Sequence, residues 1–251
     1  MAGFLLIHGA MHGGWCFDPV ADILRAKGHK VAAPDLPGMG GDEDALRAVT
    51  IESWTEFALE QCRAMRRELD GEPLVLAGHS RGGLNISAAA EADPSAMDAL
   101  VYICALMMPG GMSPAAMQDM LPKQPEMEPF GRLVANGAGM MVDPEQAARF
   151  FAHLSPPDLA EDAAHRLVAE PLGPLATLVE VTHERWGTVP RLYVECLQDR
   201  TVPIANQRQM LALSPGTATV TLDTDHSPFY SAPEALADAL IAVAEGSLSS
   251  G

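Results

Sequence analysis

The residues with the clearest chemical potential are Gly78-His79-Ser80-Arg81-Gly82, a GxSxG spacing. Small residues flanking a serine have a physical use at a sharp turn. They let neighbouring backbone come close while the turn holds the serine in a strained conformation, its oxygen projecting outward. The apolar run Leu74 to Ala77 leads directly into the pentad and the helical stretch GLNISAAAEA follows it. That strand-turn-helix order is what a nucleophile elbow requires. The plainer alternative is a Gly-rich turn whose serine caps a helix, and the context favours the nucleophile.

A serine at neutral pH needs a general base, and the base needs a group to orient it. Eight histidines are available. In elbow folds the chain order is serine, acid, histidine, so the base belongs in a loop after the last strand. His226 fits, lying just beyond Val220 to Leu222, whereas His153, His165 and His183 fall in a different part of the chain. The acid belongs after the preceding strand, where Arg191 to Leu197 opens into Gln198-Asp199-Arg200 and offers Asp199. Asp223 and Asp225 are nearer His226 in sequence, but loop neighbours usually point apart, and turn-making is their expected role.

An oxyanion hole needs two backbone N–H donors, one after the nucleophile and one after an early strand. Arg81 supplies the first. The loop His8-Gly9-Ala10-Met11-His12-Gly13-Gly14 supplies the second, with Ala10 as the chosen donor. The same loop lacks GxGxxG spacing and a P-loop lysine, so it is a poor phosphate cradle. The expected chemistry calls for no cofactor and no metal. Cys16, Cys62, Cys104 and Cys196 are too scattered for a metal knuckle or a CxxC pair, and Cys104 and Cys196 read as buried thiols.

These residues must be held by a framework, and the sequence supplies one. Apolar runs at Phe4 to Ile7, Lys30 to Ala33, Leu74 to Ala77, Ala99 to Cys104, Leu192 to Cys196 and Ala218 to Leu222 read as six buried, mostly parallel strands. Between them lie helical patterns: one with Asp18 as N-cap and Pro19 in its first turn, stopping at Gly28, one opening on a Ser53/Glu56 capping box, one after Ser80, and a last one on a Ser231/Glu234 capping box. Such alternation predicts a doubly wound α/β sheet with right-handed crossovers and ligands beyond the carboxyl ends of the strands.

The alternation breaks after Met107, where helix starts at Ser113-Pro114, Asp143-Pro144 and Ser155 appear without a convincing strand. Residues 1–106 and 190–251 are therefore expected to form the core domain and residues 107–189 an inserted helical cap. The cap holds eight of the 14 methionines, Met107, Met108, Met112, Met117, Met120, Met127, Met140 and Met141. Each of these, like Trp186 and Phe130, either lines an apolar ligand site or packs a small core.

The chain of 251 residues is 48% hydrophobic with a net charge of −17, enough apolar content for a large core and a field that repels nucleic acid and anionic membranes. Its start, MAGFLLIHGA, is too short in apolar residues for a signal peptide or membrane span. Cytoplasmic residence is the expectation, and a homodimer is left open.

The sequence resembles the α/β-hydrolase superfamily from Phe4 to about Val243. More narrowly, HGAMHGGWCF, GHKVAAPDLPG and GHSRGGLNI resemble plant methylesterases of the salicylate-binding type and their hydroxynitrile lyase relatives. PRLYVECLQDRTVPIANQRQM and DHSPFYSAPEALADAL are similar to bacterial pyrethroid hydrolases. The resemblance implies an α/β-hydrolase fold, a triad of Ser80, Asp199 and His226, and oxyanion donors at Ala10 and Arg81. Arg81 departs from the hydrophobic residue often found there.

The implied activity is hydrolysis of a neutral, hydrophobic small-molecule ester. The alternatives are a carbon–carbon lyase or a slow-turnover ligand receptor on the same scaffold. The resembling lyases place lysine after the catalytic histidine, threonine after the first-strand histidine and glutamate before the nucleophile. Here those positions hold Ser227, Gly9 and His79, and no lysine follows Lys123.

Overall fold

The computed structural model describes residues 1–108 and 131–247. Six parallel strands form the central sheet: β1 (Gly3–Ile7), β2 (Lys30–Ala32), β3 (Leu74–His79), β4 (Ala99–Ile103), β8 (Arg191–Cys196) and β9 (Thr217–Leu222). Their spatial order is β2-β1-β3-β4-β8-β9. All six lie where the apolar runs predict them. The four central strands are buried along their whole length; β1, β3 and β4 are therefore largely apolar, while β8 carries the buried charges Arg191 and Glu195 on one of its faces. The edge strand β9, TATVTL, is only partly buried and alternates threonine with apolar residues.

Alternate side chains of each strand build two cores. Leu5, Ile7, Leu74 and Leu76 face α3 (Ile51–Leu69) and α4 (Gly82–Ala92), while Phe4, Leu6, Val75 and Ala77 face α1 (Asp18–Ala26) and α10 (Pro233–Ala244). Each fully buried leucine or phenylalanine contributes about 1.5–3 kcal/mol relative to exposure. The chain runs from β1 outward to β2 and then returns across β1 to β3. The segments leaving β1 and β3 therefore part to opposite faces, opening a crevice between their carboxyl ends. The Gly9–Ala10 loop and Ser80 both emerge there.

Three helix starts differ from the sequence reading. α3 begins two residues early, because Thr50 and Ser53 form the reciprocal capping box that was expected of Ser53 and Glu56. Asp18 lies inside the first turn of α1 rather than capping it, with Phe17 at the N-cap. Ser231 does not cap α10. It ends α9 (Pro228–Ser231) and bonds Asp225, while Pro233 opens α10 at a position that needs no donor.

Between β4 and β8 the described residues contain α5 (Pro144–Phe151), α6 (Pro157–Arg166) and α7 (Gly173–Ala176). They also contain an antiparallel sheet of β5 (Arg132–Val134), β6 (Gly139–Met141) and β7 (Glu170–Pro171), so the stretch between β4 and β8 holds strands as well as the expected helices. Strands of two or three residues are too short to show a period. Ser113, Met112, Met117, Met120, Met127 and Phe130 lie outside the described residues. Met107 and Met108 are buried core, and so is Trp186, whose indole donates to Tyr102. Among the described residues no helix is long and apolar enough to cross a membrane.

Candidate active site

β3 ends at His79 and the chain turns into α4 through Ser80, whose φ of 53° lies in the left-handed region that non-glycine residues seldom adopt. Three main-chain bonds hold this strain, from Ser80 N–H to Ile103 O (3.1 Å) and to Ser80 O from Leu106 N–H (2.9 Å) and Gly83 N–H (3.1 Å). The flanking glycines are required by contact. A Cβ on Gly78 would sit 2.6 Å from Gly82 O, and one on Gly82 would sit 2.7 Å from Ile7 O. No side chain fits between β1 and the turn.

His226 follows β9, and its ring bridges the two other candidates. Nδ1 lies 2.7 Å from Asp199 Oδ2 and Nε2 lies 2.9 Å from Ser80 Oγ. Asp199, after β8, is fixed from behind by Thr201 N–H (2.7 Å) and Val202 N–H (2.8 Å), both donating to Oδ1. Nδ1–H donating to the carboxylate leaves Nε2 as the acceptor for the Ser80 hydroxyl. His79 fixes the backbone of His226, donating from Nε2 to His226 O at 2.7 Å.

The β1 loop passes directly over Ser80, since a Cβ on Gly9 would lie 2.8 Å from Ser80 Cβ. Its carbonyls are held by histidines: His8 Nδ1 donates to Gly9 O and His12 Nδ1 to Ala10 O. Arg81, expected only as a backbone donor, sends its side chain inward to a buried ion pair with Glu170 on β7. Burial pushes the Glu170 carboxyl up and the Arg81 guanidinium down, and each is offset by the other's charge.

The competing aspartates separate cleanly. Asp223 is exposed and accepts from Gln198 Nε2. Asp225 is fully buried and does more than make a turn. Its carboxylate accepts from Leu154 N–H, Ser155 Oγ, Ser227 N–H and Ser231 Oγ, tying the segment after α5 to the His226 loop. Neither Glu170 nor the second role of Asp225 left a signal in the sequence. Glu170 lies far along the chain from Met11 and Arg81, and Asp225 is likewise distant from Leu154 and Ser155.

Burial in apolar surroundings depresses three histidines, His8 to about 3, His12 to about 4 and His79 well below its ordinary value. The folded protein therefore holds them neutral at pH values where the unfolded chain, near 6.5, takes up protons. Their stabilising contribution is complete above pH 6.5 and is lost as pH falls toward 4, at about 1.4 kcal/mol per pH unit for each histidine. Thermal melts are expected to show a melting temperature that drops steadily from pH 6.5 to 4.5. A flat profile over that range would contradict the neutral, buried assignment.

The six-stranded sheet and the elbow define the class, and the chain belongs to the α/β-hydrolase family, whose model matches residues 4–239. It is 30% identical to methylesterase 1 of Arabidopsis thaliana, covering 96% of this chain and 95% of the relative. It is 34% identical to the pyrethroid hydrolase of Sphingobium wenxiniae, covering 94% and 85%. The crystal structure of a pyrethroid hydrolase from Sphingobium faniae superposes with a TM-score of 0.80 at 33% identity, over 97% of each chain. These relatives put the chain among the ester hydrolases of the family.

Proposed function

We propose that this chain is a serine hydrolase of neutral, hydrophobic carboxylic esters, working through an acyl-enzyme without a cofactor. The observation that carries the reading is the continuous path from Asp199 through His226 to Ser80, with the serine strained and facing the crevice. Ser80 Oγ attacks the ester carbonyl carbon as its proton passes to His226 Nε2. Asp199 stabilises the imidazolium. The N–H groups of Ala10 and Arg81 take the developing oxyanion, the alcohol leaves with the proton from His226, and water then releases the acid by the same path.

The preference for neutral, apolar esters is supported by what packs over the loop. Met11 joins Val142, Phe150, Phe151 and Leu167 in one cluster, and the Phe151 ring lies 5.8 Å from that of His226. Residues 107–189 act in this reading as a cap that supplies the apolar walls, while the charge of −17 disfavours anionic substrates.

The test is a series of p-nitrophenyl esters of graded chain length, followed by bulkier aryl esters, run beside mandelonitrile. Hydrolysis of the neutral esters is expected, with no cyanide above the uncatalysed background. Cleaving a cyanohydrin requires a cation for the departing cyanide, and Ser227 stands where the resembling lyases carry lysine. Cyanide release that vanishes in Ser80→Ala, together with inert esters, would make the protein a lyase.

A further inference from the structure

We infer that the buried Arg81–Glu170 pair is a positioning device that clamps both flanks of Ala10 and so sets the oxyanion hole; this rests on the proposed serine-esterase reading. The guanidinium is partnered on every side. Nε faces Glu170 Oε1, NH1 donates to Asn85 Oδ1 (2.9 Å), NH2 donates to Gly9 O (3.2 Å), and the plane lies 4.3 Å from the Trp54 ring centroid. Glu170 completes the clamp, because Oε2 accepts the Met11 N–H at 2.9 Å. The residue before Ala10 is thus held by its carbonyl and the residue after it by its amide, from the two ends of one ion pair.

The need for such a clamp is local. Met11 has φ of 62°, a conformation that costs a non-glycine residue about 1–2 kcal/mol and persists only where surroundings enforce it. Met11 O is held as well, by Val168 N–H at 2.9 Å, two residues before Glu170. One residue therefore serves both halves of the hole: Arg81 offers its own N–H and, through its side chain, fixes the loop that offers the other. Because Glu170 belongs to the insertion, the oxyanion loop is registered against the cap. A lysine could not do this, having no planar fork to reach three acceptors at once.

Replacing a buried ion pair by apolar residues of similar size is often neutral for stability, whereas removing one partner strands the other charge. The informative variants are therefore doubles. Arg81→Met with Glu170→Met removes the ion pair's hold on both flanks of Ala10, leaving Gly9 O to His8 Nδ1 and Met11 O to Val168 N–H. Arg81→Met with Glu170→Gln removes the hold only on the Gly9 side, since the amide oxygen still accepts Met11 N–H. With a p-nitrophenyl ester, kcat is expected to fall about 10²-fold in the first double, as when an oxyanion donor is lost. In the second the fall is expected to be smaller. KM should stay within about threefold of wild type in both, and the Ki of an alkyl trifluoromethyl ketone, whose hemiketal oxygen occupies the hole, should rise in step with the fall in kcat.

A role confined to stability would move the melting temperature and leave these ratios alone. If the first double does not fold, the second carries the same comparison. A folded double whose kcat stays within threefold of wild type, or whose kcat falls with an unchanged ketone Ki, overturns the inference. Wild-type protein that neither hydrolyses esters nor reacts with a fluorophosphonate at Ser80 overturns the esterase reading itself, before any variant is made.

Discussion

Ser80→Ala is expected to lower kcat for ester hydrolysis by about 10⁶-fold, and His226→Ala by a similar factor, because either change removes a member of a unit that works only when complete. The fold should survive the serine change. Only an oxygen is lost, and the bonds that hold the turn, to Ile103 O and from Leu106 N–H, involve the main chain. Circular dichroism and melting curves of the variant should match wild type. A fluorophosphonate should add its mass at Ser80 in wild type and nowhere in the variant. If Ser80→Ala kept a tenth of the activity, the nucleophile would have to be another residue.

Asp199→Asn is expected to cost about 10⁴-fold in kcat with little change in shape, and the structure explains why the isosteric change is so damaging. Asp199 Oδ1 already receives two N–H donors, from Thr201 and Val202, so the single amide oxygen of asparagine is drawn to that side. Its NH2 then faces His226 Nδ1 and forces the ring to carry its proton on Nε2, where it can no longer accept from Ser80. Asp223→Asn should be nearly silent, since its carboxylate is exposed. Asp225→Asn should fall between the two. It leaves one oxygen to serve four donors on α9, the His226 loop and the segment after α5, so a lower melting temperature and roughly a tenfold loss of kcat are expected by analogy with misplaced catalytic groups. An Asp225→Asn variant more damaged than Asp199→Asn would transfer the orienting role to Asp225.

The local signals were strong where burial and backbone sterics act within a few residues. The central strands β1, β3 and β4 are largely apolar because helices cover both faces of a parallel sheet, and β8 keeps an apolar majority despite its buried Arg191 and Glu195, so each is legible as a run. The elbow was equally legible, since the close approach of Gly78 and Gly82 demands glycine and a strand must deliver the serine. Ser80, Asp199 and His226 were found by their order relative to those strands, and the fold brings their side chains into hydrogen-bond contact. Helix starts were less legible: Thr50 took the capping position expected of Ser53, because several polar residues in succession can each satisfy a first-turn amide.

The sequence by itself therefore determined the sheet, the turn that presents the serine and the residues that follow each strand. Only the tertiary structure decided what those residues lean on. Arg81 reads as a polar residue beside the nucleophile until Glu170, 89 positions later, is folded against it. Asp225 reads as a turn residue until Leu154 and Ser155 arrive. A strand or an elbow is enforced by neighbours in the chain and leaves a period or a glycine behind. A buried charge pair or a four-donor carboxylate is enforced by desolvation between distant segments, which leaves no local pattern to read.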